Sequence, residues 1–197
     1  MPVDNPAAML LEIFKKTKGL KEDSNCAAVW KDLVGLPHAS SLELLSRMAK
    51  IIELTSQMQK IVKEEFPDQI DECQYVVKRI SALFMNQKNS SSWKDSMKFI
   101  DNHTVSYLNM LSPLIQTKIN NSSPSKDKLF SIQEKIREIL EEILISDSNE
   151  FDDSIKKYLV RMFQRMDIAI DEYHLSGLSP IIEAVEATIG HTTFDDG

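Results

Sequence analysis

The chain has 197 residues, of which 42% are hydrophobic and 27% charged, a balance that excludes wholesale disorder. Its 5 glycines and 7 prolines offer too few turns for a β-sandwich or β-barrel, so we predict an all-α fold. The net charge of −7 disfavours broad binding to nucleic acid through phosphates.

The first half of the chain opens with two short helices and one long one. Amphipathic patterns predict helices over Pro6 to Lys18 and in the segment that Asn25 caps. A stronger pattern runs from Ser40 or Ser41 to Phe66, where apolar steps of three and four resemble a coiled-coil seam. Its seam residues are Leu44, Met48, Ile51, Thr55, Met58 and Val62. The stripe is widened by Leu45, Ile52, Leu54 and Ile61, which indicates that the helix touches two or more neighbours.

Two more helices complete this half. Asp68 is the expected cap of a helix that forms an antiparallel hairpin with the long one. Another helix is expected from Ser92 to about Ile119. Because Asp101 to Thr104 has low helix propensity and Pro113 lacks an N–H, we expect a kink or a split in it.

The segment 120–125 is the clearest loop, and a helix follows from about Asp127 to Ile145. The seam of this helix consists of Leu129, Ile132, Ile136, Ile139 and Ile143. We predict one domain over 1–197, with 120–126 as the alternative boundary between two halves. The expected architecture is a bundle of about six to seven mostly antiparallel helices without a β-sheet.

A long amphipathic helix and a short closing helix are predicted from Asn149 to Gly190. The stripe expected to be core consists of Phe151, Ile155, Leu159, Met162, Met166, Ile170 and Tyr173. Gly177 ends the long helix, and Ser179-Pro180 begins the closing one, because proline at the first helical position loses no hydrogen bond. Gly190 is the expected end of the closing helix.

Charged residues on the outer side of the long helix form the candidate binding site. Lys156, Lys157, Arg161 and Arg165 lie away from the apolar stripe. We expect partner binding at Lys157, Arg161 and Arg165 and, in the turn after the helix, at His174 and Leu178. The alternative interpretation is a solvated face that balances nearby acids.

Catalytic and metal motifs are missing from the sequence. It holds no nucleophile elbow and no glycine-rich phosphate loop, so no catalytic or cofactor-binding residue is assigned. Asp167, Asp171 and His174 share one helix edge, but no second element supplies further ligands, and we assign no metal. Cys26 and Cys73 are isolated, as is typical of buried thiols in a reducing cytoplasm. Neither a secretion signal nor a transmembrane run is predicted, so we expect a cytoplasmic protein.

The run from Tyr173 through Gly177 to Leu178, followed by apolar helical spacing and Ile189-Gly190-His191, resembles the close of small all-helical bacterial proteins of uncharacterised function. The resemblance implies an accessory role beside larger machines, such as ATPase-nuclease antiphage defence complexes. It covers only this carboxy-terminal segment and carries over no functional residue.

Wide apolar stripes without a chemical motif favour a non-enzymatic cytoplasmic subunit that binds a protein partner through helix faces. Self-association into a homo-oligomer stays open, whereas membrane and direct nucleic-acid partners are not expected. One alternative is an acidic immunity or inhibitor protein that covers a basic enzyme surface. Another is a cryptic helical metal-dependent enzyme, which would need carboxylates or histidines from separate helices to converge.

Overall fold

The computed structural model describes residues 4–17, 19–86, 92–119, 124–145 and 152–192, the last five as backbone only. In these ranges the chain is all-helical, with one short 3₁₀ helix at Pro67–Gln69 and an isolated β-bridge between Asn25 and Ser92. The α-helices are α1 (Pro6–Lys16), α2 (Cys26–Leu33), α3 (Ser41–Glu65), α4 (Ile70–Met85), α5 (Trp93–Met97), α6 (Asn102–Gln116), α7 (Lys126–Ile145), α8 (Asp153–Asp171), α9 (Tyr173–Ser176) and α10 (Ser179–Thr192).

The described part has ten α-helices, whereas the sequence predicted about six to seven. One reason is the split between α5 and α6, where the Asp101 carboxylate accepts the Thr104 N–H and caps a new helix. Pro113 instead lies inside α6, which continues beyond it. A second split follows Asp171 and separates the short α9 from α8. The expected cap at Asp68 was also wrong, because Asp68 lies in the 3₁₀ helix.

Contacts divide the chain into two compact units. The amino-terminal unit comprises Asn5–Asn120, and the carboxy-terminal unit comprises Met1–Asp4 with Asn121–Gly197. The loop 120–126 lies largely outside the described residues, and the one-domain organisation stays a prediction. No helix in the described ranges combines the length and apolar character needed to cross a bilayer.

In the amino-terminal unit, α1 packs against α3 and α6, and α4 packs against the same two helices. The seam predicted for α3 is confirmed, since all six of its residues are buried. Ser40 forms the capping box of α3 with Glu43, so the helix begins where the pattern indicated. Of the residues expected to widen the stripe, Leu54 is buried, whereas Leu45 and Ile52 are exposed.

In the carboxy-terminal unit, α8 packs against α7 and α10, and α9 contacts α8 and α10. Its core cluster consists of Leu129, Ile136 and Ile170, with Leu140, Phe163, Met166, Tyr173 and Ile181 packed against them. The backbone of α10 continues past the expected end at Gly190 to Thr192.

The apolar stripes of this unit are buried less than predicted. Ile155 is 50% exposed, so the expectation that the α8 stripe is core was wrong at this position. Leu159, Met162 and Met166 are half-buried, and Phe151 lies outside the described residues. On α7, the seam residues Ile132 and Ile139 are exposed as well.

Candidate partner-binding surface

The carboxy-terminal unit exposes more large apolar residues than it buries. Among its described residues, seven apolar side chains are buried, whereas nine large ones are exposed. In the described part of the amino-terminal unit, the corresponding numbers are 27 and five. The nine exposed residues are Phe130, Ile132, Ile139, Leu144, Ile145, Ile155, Tyr158, Ile168 and Val185. Exposed large apolar residues are a feature that protein-interaction surfaces share.

A cavity of about 410 Å³ opens in this unit beside the start of α7. Leu129, Phe130, Ile170 and Tyr173 supply its apolar wall, and polar or charged residues at the rim include His174. The Phe130 side chain is 59% exposed, so part of the apolar wall faces solvent. A cavity with an apolar wall and a polar rim can accept an apolar side chain from another protein.

Asp4 holds α9, which contains His174, together with the turn at Leu178 that follows it. The Tyr173 hydroxyl donates to Asp4 Oδ1 at 3.2 Å, and the Leu178 N–H donates to Asp4 Oδ2. Gly177 lies between these donors at φ 69° and ψ −161°, a conformation that is essentially restricted to glycine. Both His174 and Leu178 are half-buried. His174 lines the cavity, whereas Leu178 does not, and its backbone N–H is held by Asp4.

Lys157, Arg161 and Arg165, hereafter the basic strip, are exposed at four-residue spacing on α8. None of the three takes part in an ion pair within the described ranges. Ile168, 54% exposed, continues this face. Lys156 does not belong to it, because its Nζ donates to the Leu144 carbonyl at 3.3 Å, on the side of α8 that meets α7.

The structure does not bring Asp167, Asp171 and His174 together. Arg137 Nε donates to Asp167 Oδ1 at 2.9 Å, which commits that carboxylate to the contact between α7 and α8. His174 Nδ1 lies 3.3 Å from the Asp171 carbonyl oxygen, not from its carboxylate. Among the described residues, no group of three or more His, Cys, Asp or Glu side chains could hold a metal ion.

The most strongly perturbed carboxyl group lies in the amino-terminal unit. Asp101 accepts the Tyr75 hydroxyl at 2.5 Å and the N–H and hydroxyl of Thr104, with Arg79 at 3.4 Å. Burial raises the pKa of Asp101, but these hydrogen bonds and the Arg79 charge outweigh it and lower that pKa to about 2. A carboxylate held this way stabilises the start of α6 and is a poor proton carrier near neutral pH.

The two cysteines are also poor candidates for chemistry. Cys26 and Cys73 are both fully buried and free. Burial raises the pKa of the Cys73 thiol to about 11, so the reactive thiolate is scarce. Cys26 Sγ lies 2.9 Å from Ser96 Oγ inside the amino-terminal unit. Neither thiol has the exposure that a nucleophile requires.

A second apolar surface lies on the amino-terminal unit. Two adjoining cavities of about 350 and about 240 Å³ flank α3 and share Ile52 and Phe84 in their walls. Leu45 and Met85 at their edges are 60% and 85% exposed. These two cavities form a groove beside α3. It is a weaker candidate for a binding surface than the carboxy-terminal unit, because the amino-terminal unit buries far more apolar residues than it exposes.

Sequence reasoning placed the basic strip on one exposed face but missed Phe130, Ile168 and Asp4. Ile168 follows Arg165 by three positions, so the helical period could have found it. Phe130 is adjacent to the seam residue Leu129, and no sequence pattern distinguished it as a surface residue. The hydrogen bonds of Asp4 with Tyr173 and Leu178 depend on tertiary structure. Comparisons with protein-family models, curated proteins and solved structures found no match to this chain.

Proposed function

We propose that this chain is a non-enzymatic helical subunit that binds a partner protein through its carboxy-terminal unit. The excess of exposed over buried large apolar residues in that unit carries the proposal. Fully burying one such side chain contributes about 1.5 to 3 kcal/mol, so a partner that covers several would gain substantial affinity. Part of that gain is offset by the ordering that association requires.

The cavity beside Phe130 is the proposed anchor point. An aromatic or aliphatic side chain of the partner would enter it and contact Leu129, Ile170 and Tyr173. His174 and the basic strip would then contact polar or acidic groups around this anchor, which sets orientation more than affinity. Lys157, Arg161, Arg165, His174 and Leu178 therefore remain the proposed contact residues, with Phe130 and Ile168 added.

The test is purification of the native complex from the host, followed by binding measurements with the isolated partner. Phe130→Glu places a charge at the mouth of the cavity and should weaken binding at least about tenfold, since burying an unpaired charge is costly. Leu42→Glu is the matched control, because Leu42 is 78% exposed in the amino-terminal unit and lines neither that cavity nor the groove beside α3. Equal partner affinity for wild type and Phe130→Glu would contradict the proposal.

Two narrower statements stay predictions: cytoplasmic localisation and an accessory role in a bacterial defence complex. The inhibitor alternative is supported by the net charge of −7 and predicts binding to a basic enzyme that is strongly weakened by salt. Apolar anchoring in the cavity predicts weaker salt dependence, so a salt titration of the same complex separates the two. For the metal-dependent enzyme, a rise in melting temperature with added divalent cation would be the supporting result.

A further inference from the structure

The outer faces of α7 and α8 carry opposite charges at the same spacing. On α7, Glu134, Glu138 and Glu142, hereafter the acidic strip, are exposed and four residues apart. They lie on the side of α7 opposite the buried Leu129 and Ile136. No hydrogen bond or ion pair involves the acidic strip in the part of the chain that the structure describes.

The basic strip on α8 repeats this arrangement with the charges reversed. Each strip places its charges at positions i, i+4 and i+8. An exposed isoleucine follows the last charge by three positions on both helices, Ile145 at 82% and Ile168 at 54% exposure. Residues at these steps share one helix face, so each strip is a continuous surface that ends in an apolar contact.

The two strips of one chain cannot meet each other. α7 and α8 pack through the core cluster, and their own charge contact is Arg137 with Asp167 at 2.9 Å. Both strips lie on the sides of their helices that face away from this contact. A complementary strip must therefore come from another molecule, and another copy of this chain supplies one of matching charge and spacing.

We propose that the acidic strip of one copy binds the basic strip of a second copy, with the two helices parallel. In this register the three charge pairs align in sequence order, and Ile145 meets Ile168 at the end of the row. The contact joins two different surfaces, so it is head-to-tail and builds a ring or a chain. The basic strip and Ile168 belong to both proposed surfaces, whereas Phe130 with its cavity serves only partner binding and the acidic strip serves only self-association. Phe130→Glu therefore tests partner binding alone, and Glu138→Arg tests self-association alone.

The experiment measures the average mass of the full chain by sedimentation or light scattering. At about 20 mM salt and up to about 0.5 mM protein, the mass should rise by a factor of about 1.5 to 2 over that of the monomer, because exposed ion pairs are individually weak. At about 500 mM salt it should return to the monomer value. A monomer under both conditions would overturn the proposal.

Charge reversal provides the specific test. Arg161→Glu and Glu138→Arg should each abolish association, whereas Lys60→Glu, an exposed lysine on α3, should not. Arg161→Glu and Lys60→Glu change the net charge equally. A difference in association between these two variants therefore reflects the position of the charge and not the net charge. An equimolar mixture of Arg161→Glu and Glu138→Arg, and the chain with both substitutions, should associate again. Failure of both rescues, with circular dichroism showing folded variants, would overturn the proposal.

Crosslinking tests the register and needs no charge substitution. Both native thiols are buried, so only cysteines introduced at the surface should form intermolecular disulfides. A mixture of Ile145→Cys and Ile168→Cys chains should form a disulfide-linked dimer under mild oxidation. In antiparallel strips position 131 would face Ile168, so crosslinking of Ser131→Cys with Ile168→Cys instead would show antiparallel helices and overturn the parallel register.

Discussion

The carboxylate of Asp4 accepts a hydrogen bond from the backbone N–H of Leu178, 174 residues further along the chain. The same carboxylate accepts the Tyr173 hydroxyl, so one side chain ties the start of α9 to the turn that follows this helix. Tyr173 and His174, the first two residues of α9, both line the proposed anchor cavity. Its geometry therefore depends on a residue far away in sequence.

Gly177→Ala should destabilise the carboxy-terminal unit. The conformation at φ 69° and ψ −161° costs a non-glycine residue about 1 to 3 kcal/mol, and an added Cβ would collide with the Asp4 carboxylate. Gly19→Ala is the control, since Gly19 has φ 91° but open space around it. Urea unfolding followed by circular dichroism should show the larger loss for Gly177→Ala. An equal loss in both variants would mean that the Asp4 contact adds nothing.

Tyr75→Phe should reduce stability at neutral pH and make it less dependent on pH. The folded pKa of Asp101, about 2, lies below its ordinary value of 3.8, so its ionised form stabilises the fold above about pH 4. That contribution, at most about 2 kcal/mol, is lost as pH falls toward 2. Removing the Tyr75 hydroxyl should bring the pKa of Asp101 closer to 3.8 and shrink the difference between pH 7 and pH 3.

Tyr107→Phe is the control for this pH measurement. Its ring lies 5.4 Å from that of Tyr75, but its hydroxyl is not among the donors to Asp101. If Tyr107→Phe and Tyr75→Phe gave the same unfolding free energies at both pH values, ring packing and not the carboxylate would explain the effect.

Truncation of two adjacent residues on α7 should reduce stability by very different amounts. Leu129 is 7% exposed in the core cluster, and Leu129→Ala should cost about 2 to 4 kcal/mol of unfolding free energy. Phe130 is 59% exposed, and Phe130→Ala should cost less than about 1 kcal/mol. Comparable losses would show that Phe130 is covered in solution and unavailable to a partner.

Both native thiols should resist modification in the folded chain. Cys26 and Cys73 are fully buried, and burial keeps the Cys73 thiol protonated with a pKa of about 11. A thiol reagent such as Ellman's should therefore react fully only after denaturant is added. The exposed variant Ser106→Cys should gain one fast-reacting thiol without denaturant. Rapid modification of the wild-type chain would indicate frequent opening of the amino-terminal unit.

The contrast between α3 and α8 shows how far sequence predicts this fold. Periodicity identified the inward face of both helices, and on α3 every seam residue is buried, since α1 and α4 both pack there. On α8 the same kind of pattern predicted core, yet Ile155 is half exposed. A helical period defines a face but not how much of its length a neighbour covers, because coverage depends on the tertiary arrangement.

The candidate site was predictable to a similar degree. Four-residue spacing placed Lys157, Arg161 and Arg165 on one face, while Lys156, one step along, turns toward α7. The cavity beside Phe130 could not be predicted from the sequence, because it depends on how α7 packs against α8. The hydrogen bonds from Tyr173 and Leu178 to Asp4 could not be predicted either, because composition and residue spacing do not reveal contacts between distant segments.

The edge-to-face pair of Trp30 and Trp93, with ring centroids 5.7 Å apart, has a spectroscopic consequence. These are the chain's 2 tryptophans, and both lie in the amino-terminal unit. Indole emission therefore monitors melting of that unit alone, whereas far-ultraviolet ellipticity sums over all helices. Superimposable melting curves from the two signals would mean that the units unfold as one cooperative block, and separated curves would assign a midpoint to each.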